Sequence, residues 1–137
     1  MREPYTQLFV HCVWATWDRM PLINAELEGP IYRCIQAELR DLKAEAVAIG
    51  GIPDHVHVLA RIPTTVTIAD LLKQMKGSSS HLVTHRLAAN GDFKWQGGYG
   101  AFSVSKSEVP RTREYIENQK QRHRDRLLDL ELELPDV

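Results

Sequence analysis

Hydrophobic spacing changes period several times along the chain. Residues 5–17 are rich in aromatic and β-branched side chains and predict a strand. From Asn24 to about Lys43, Ile31, Cys34, Ile35, Leu39 and Leu42 recur at helical spacing, with Asn24 as a cap. Pro30 is awkward inside that helix unless the helix starts near Gly29 and carries the proline in its first turn. Residues 44–52 and 55–62 form two short apolar runs, separated by the turn Pro53-Asp54, and predict an antiparallel hairpin.

A second helix is expected from the Thr67 cap to about Ala89, interrupted at Gly77-Ser78-Ser79-Ser80. Asn90-Gly91-Asp92 reads as a turn, and residues 93–105 as a strand broken by glycines. A last helix, capped by Ser107 with Pro110 in its first turn, is expected to reach about Arg126. Residues 128–134 alternate leucine with acid and receive no assignment. The order β-α-β-β-α-β-α makes this an α+β chain, and its first six elements match the split βαβ, ferredoxin-like sandwich. Its sheet is antiparallel, with helices on one face plus a C-terminal helix, and its first and third strands are central.

Length fits one domain spanning residues 1–137, with an acidic tail at about 128–137. No apolar run reaches the roughly 18 residues of a membrane span, and the N-terminus lacks the layout of a secretory signal. The expectation is a cytoplasmic protein without a membrane partner. Cys12 and Cys34 lack CxxC spacing and read as small core residues. Net charge is −1, so overall charge does not announce a nucleic-acid binder. Its distribution says more: residues 129–137 hold four acids and no base, whereas Lys106, Arg111, Arg113, Lys120, Arg122, Arg124 and Arg126 crowd the last helix. That helix can face phosphates or simply be a solvated surface.

The candidate chemistry starts at His55 and His57. Strand alternation puts both imidazoles and Leu59 on one face, and Val56, Val58 and Ala60 on the other. Two such imidazoles can hold one metal ion, or can be ordinary hydrogen-bonded strand residues. A divalent metal needs a third ligand and open positions. On the last helix, Tyr115 and Gln119 are i, i+4 and share a face, while Glu117 points elsewhere. His11 reads as a packed, hydrogen-bonded strand residue, and His81 with His85 as surface or DNA-facing residues.

In order along the chain stand His11-Cys12-Val13-Trp14, Asp18-Arg19-Met20-Pro21-Leu22, and Pro53-Asp54-His55-Val56-His57-Val58-Leu59. Then follow Leu72-Lys73-Gln74-Met75-Lys76-Gly77-Ser78-Ser79, Trp95-Gln96 with Tyr99 and Ser103-Val104, and Tyr115-Ile116-Glu117-Asn118-Gln119 with His123 beyond. In these blocks the chain resembles the single-tyrosine HUH transposases of small, hairpin-ended bacterial insertion sequences. The resemblance implies a divalent metal, Mg²⁺ or Mn²⁺, held by His55, His57 and Gln119, with Tyr115 as nucleophile. It implies cutting and rejoining of single-stranded DNA at hairpin-bearing ends through a 5′-phosphotyrosine intermediate. It also implies a homodimer in which one subunit's tyrosine helix completes the other's site.

Two relatives of that activity stay open: an HUH endonuclease acting on host repeats, and a metal-dependent nuclease using water. The second would want a carboxylate beside the histidines. Strand alternation sends Asp54 to the wrong face for it. No function attaches to residues 124–137 at this stage. Lys73, Lys76, Arg86, Lys94, Trp95 and Tyr99 are candidate DNA contacts.

Overall fold

The computed structural model describes residues 2–87 and 92–135. The expected end of the second helix at Ala89, the turn residues Asn90 and Gly91, and the tail acid Asp136 lie outside the described residues. Strands β1 (Leu8–Ala15), β2 (Glu45–Ile52), β3 (His55–Ile62) and β4 (Gly100–Val104) form one antiparallel sheet in the order β2-β3-β1-β4. This is the split βαβ order, with β1 and β3 in the middle.

Helices α1 (Ala25–Asp41) and α2 (Ile68–His81) cover one face. Asn24 caps α1, its side-chain oxygen accepting from the Glu26 and Leu27 amides at 3.0 and 2.9 Å. Leu27, Ile31, Ile35 and Leu39, one row at i, i+4 spacing, are buried against Cys12, Trp14, Val56, Val58 and Ala60 of the sheet. The helix starts five residues before Pro30, so the proline lies past the first turn and not within it. The carbonyl it leaves without an amide belongs to Glu26, an exposed residue, where water can serve.

Thr67 caps α2 by accepting from the Asp70 amide at 3.0 Å. The Gly77–Ser80 stretch does not interrupt this helix. Ser79 is buried, donates its hydroxyl to the Met75 carbonyl at 2.7 Å, and accepts from Trp95 Nε1 at 3.0 Å. The irregular turn comes later, as π-helix over Leu82–Arg86. Trp95 is therefore core, packed edge-on against Trp14 and Phe93. Before β4 it makes a single bridge to Thr16, so the expected strand over 93–105 shortens to five residues.

The opposite face receives α3 (Val109–Glu117) and α4 (Gln119–Arg124). The expected single helix capped by Ser107 is instead a 3₁₀ turn over Lys106–Glu108, then α3, then a break at Asn118 (φ −108°, ψ 24°) before α4. Neither turn nor helix has a side-chain cap. Gly50 on β2 lets α3 lie close. A Cβ there would stand 2.0 Å from the Ile116 carbonyl oxygen, closer than atoms can approach. After α4 the chain returns through a 3₁₀ turn, Leu130–Leu132, to the same face of the sheet. Among the described residues no helix is long and apolar enough to cross a membrane.

Candidate active site

β3 is buried on both faces from His55 to Ala60. On the face that meets α3, His55 and His57 stand two residues apart, with ring centroids 5.0 Å apart. His11 lies diagonally across from His57 on β1, two residue pairs along the ladder. The polar atoms of this layer are shut away from water, so each has to find a partner inside the protein.

Two of those partners orient the imidazoles. His55 Nδ1 is 2.7 Å from Asp54 Oδ1, which also lies 3.7 Å from the Arg19 guanidinium. His57 Nδ1 is 2.8 Å from His11 Nε2. With N–H on Nδ1 of both residues, the two Nε2 lone pairs are left facing the same space. This is how second-shell groups set up a metal-binding histidine. Asp54 was expected on the opposite strand face. It precedes β3 and sits in the hairpin turn, where alternation does not apply, and its side chain curls back onto the neighbouring ring.

The helix side brings the other two residues. Tyr115 and Gln119 are 2% and 1% exposed, both facing the sheet across the Asn118 break. The Tyr115 ring meets His57 edge-on at 6.0 Å. Gln119 Oε1 lies 3.4 Å from His55 Nε2 and 3.1 Å from His123 Nε2. All four residues singled out in the sequence thus come together within one chain.

A fifth residue was not anticipated. Glu133, from the unassigned tail, is 2% exposed and sits in the middle of the group. Its Oε1 is 3.1 Å from His57 Nε2 and 3.5 Å from His55 Nε2, and its Oε2 accepts a hydrogen bond from the Tyr115 hydroxyl. The leucine–acid alternation of 130–134 was the one signal for it: Leu132 and Glu133 are both buried, whereas Leu130 is exposed. The segment is not a strand, however, so the period alone could not say which acid turns inward.

The electrostatics follow from burial and these contacts. Burial alone would lower the His55 pKa, but Asp54 and Glu133 override it and leave it raised. Burial lowers His57, with Glu133 opposing. It lowers His11 to about 3, helped by the charge of His57, so His11 is a neutral ring. Burial would raise Glu133, yet its close contacts with His55, His57 and the Tyr115 hydroxyl hold it well below the carboxylate range. Burial and the Glu133 carboxylate push the Tyr115 phenol up to about 12.

His55, His57 and Glu133 offer ligand atoms that all lie within 4.8 Å of one another. His57 Nε2 and Glu133 Oε1 are buried, 3.1 Å apart, and out of line for a hydrogen bond with each other or any other group. With His55 Nε2 beside them, these imidazole and carboxylate lone pairs aimed into one space suit a divalent cation. The residues present therefore fit the metal implied in the sequence.

The candidate DNA contacts divide. Lys76 is engaged by the Gln96 and Gly98 carbonyls at 2.9 and 2.8 Å, and Trp95 is core. Lys94 lies over the Trp17 ring, and Tyr99 is exposed. In the basic last helix, Arg111, Arg113, Lys120 and Arg122 are all paired with acids. His81 and His85 are exposed, with their rings tilted at 46° and centroids 4.6 Å apart, as a surface pair.

Comparison with known proteins agrees with this architecture. The ISDra2 transposase TnpA of Deinococcus radiodurans is 28% identical over 122 residues, covering 82% of this chain and 84% of its own. The crystal structure of a candidate transposase from Deinococcus radiodurans R1 superposes with a TM-score of 0.67 at 27% identity, covering 87% of this chain and 95% of its own. A REP-associated tyrosine transposase, solved bound to a REP hairpin, shares the fold with a TM-score of 0.67 at 16% identity, over 90% of this chain and 73% of its own. The profile of the family described as "Transposase IS200 like" matches residues 4–119, from just ahead of β1 to Gln119, and the chain belongs to that family.

Proposed function

We propose that this transposase cuts and rejoins single-stranded DNA at hairpin-bearing ends, with Tyr115 as nucleophile and His55, His57 and Gln119 holding a divalent cation, Mg²⁺ or Mn²⁺. The observation that carries the proposal is a buried tyrosine packed against a histidine pair whose Nε2 atoms share one space with it. The hairpin bound by the REP-associated neighbour supplies the analogy for the substrate. A bound cation would neutralise phosphate charge and fix the phosphate in place.

The chain's own groups do the rest. Asp54 and His11 keep the Nε2 lone pairs of His55 and His57 aimed inward. α3, held against Gly50, positions the phenol. Tyr115 Oη attacks phosphorus in line and releases its proton to solvent. The P–O3′ bond breaks, the 3′-oxygen leaves as a hydroxyl after taking up a proton, and the 5′-phosphate stays on the tyrosine. A later 3′-hydroxyl attacks the same phosphorus, releases the phenol and rejoins the strand. The phosphodiester energy is kept throughout, and no nucleotide cofactor is needed.

The test is incubation with end-labelled hairpin-bearing single-stranded DNA and Mg²⁺ or Mn²⁺, resolved on a denaturing gel. A slow protein–DNA band is expected, absent in Tyr115→Phe. One observation favours a second reading: a carboxylate, Glu133, does lie beside the histidines, as a water-using nuclease would need. Cleavage without any adduct, unchanged in Tyr115→Phe, would establish that alternative. The exchanged-helix homodimer is tested by mixing Tyr115→Phe with His57→Ala chains. Restored adduct formation is the result expected of shared sites, and two inert partners the result expected of sites complete within one chain.

A further inference from the structure

We propose that Glu133 is a cation ligand delivered by the chain's own C-terminal segment, on the side where a DNA phosphate has to bind, so that cleavage requires this segment to leave. The inference rests on the cation reading of His55 and His57 given above and extends it to a residue beyond the matched family region, which ends at 119.

The placement of Glu133 is what a phosphate in this site would need. One carboxylate oxygen faces the Nε2 atoms of His57 and His55, at 3.1 and 3.5 Å. The other accepts the Tyr115 hydroxyl. A scissile phosphate must likewise put one oxygen toward the cation and its phosphorus beside the phenol. Carboxylate and phosphate are both anions with oxygen donors, so each can occupy that position and only one at a time. The side chain is fully buried, and Oε1 has no hydrogen bond to explain its presence there. Burying such a group without a partner is costly, and a cation shared with His57 removes the cost.

The next residue extends the mimicry. Leu134 lines an open pocket of about 440 Å³ with Thr16, Arg19, Gln96 and Tyr99. A DNA strand leading away from the phosphate would need such a trough. The segment is attached by few bonds. Asp129 donates its amide to Tyr115 Oη at 3.1 Å and pairs with Arg111 at 2.7 Å. Leu127 and Leu130 on the way are exposed. With four acids and no base after Arg126, the segment is repelled by any polyanion entering the trough. Arriving DNA is therefore its natural competitor.

The experiment compares the full chain with Glu133→Gln and with a chain ending at Leu128, using His57→Ala as control. Mn²⁺ binding is measured without DNA, by electron paramagnetic resonance of free Mn²⁺. Adduct formation is measured separately at saturating Mn²⁺, and circular dichroism confirms folding of each chain. Both tail variants are expected to bind Mn²⁺ at least tenfold more weakly and to form adduct at least tenfold faster. Unchanged Mn²⁺ affinity in both would overturn the ligand assignment. Adduct formation slowed in both would overturn the blocking role and make Glu133 a proton acceptor for Tyr115. Should His57→Ala bind Mn²⁺ as tightly as the parent, the underlying histidine site fails, whatever the tail variants do.

Discussion

The two faces of β3 are equally buried and chemically opposite. Val56, Val58 and Ala60 meet α1 and α2 in a mainly apolar layer, whereas His55 and His57 meet α3 and the C-terminal segment in a layer of imidazole, phenol, amide and carboxylate. The apolar layer is held mainly by packing, with Trp95 Nε1 donating to Ser79 and the buried Trp14 Nε1 left without a hydrogen bond. The polar layer must match each buried donor to an acceptor, and among the described residues it does so except at His11 Nδ1, His57 Nε2 and Glu133 Oε1. The difference teaches where stability and function divide. One face of the strand holds the fold together, and the other keeps lone pairs available at some cost to the fold.

Substitutions on the two faces should therefore separate these properties. The largest effect is expected from Tyr115→Phe. Adduct formation should fall to background, roughly a thousandfold or more, while urea unfolding shifts by only about 1 kcal/mol for the lost hydrogen bond. Adduct surviving in this variant would remove the tyrosine from the chemistry. On the other face, Ile35→Ala should cost about 2–5 kcal/mol of stability and leave the Mn²⁺ affinity of the folded protein unchanged. A large change in that affinity would show that the layers are coupled.

Mn²⁺ at a hundred times its dissociation constant should stabilise the chain by about 2.7 kcal/mol, read as a thermal shift. That shift should vanish with chelator or in the double variant His55→Ala/His57→Ala. Smaller again, Asp54→Asn and His11→Ala should each weaken Mn²⁺ binding by about 10- to 100-fold, because each removes the partner that aims an imidazole. Gly50→Ala should cost about 1–3 kcal/mol of stability through overpacking against the Ile116 carbonyl. Its useful readout is local: adduct formation should slow because the added methyl lifts α3 and Tyr115 off the sheet. An unaffected rate would mean that α3 has another way to dock.

Part of this division was legible before any coordinates. Alternation placed both histidines on one face and the valines on the other, because successive strand side chains point to opposite sides whatever surrounds them. The hairpin and the Asn24 and Thr67 caps could be read for the same reason, since each depends on a few neighbouring residues. Local reasoning failed where a distant partner overrode it. Gly77–Ser80 reads as a break, but Trp95 and the Met75 carbonyl absorb the Ser79 hydroxyl and the helix runs through. The last helix reads as one piece, yet it divides at Asn118 and still turns Tyr115 and Gln119 to the same side.

The sequence by itself determined the periodicities, the histidine pair, and the tyrosine and glutamine four residues apart. These follow from the fixed rise and twist of strand and helix. Only the tertiary structure decided that His11 and Asp54 orient the pair, that Gly50 admits the tyrosine helix, and that Glu133 comes back from the end of the chain to the same space. Those contacts join residues 46, 66 and 76 positions apart, apart from the adjacent Asp54–His55 pair, whose contact depends on how the hairpin turn bends. No local period carries information across such separations, because they are set by how the layers close.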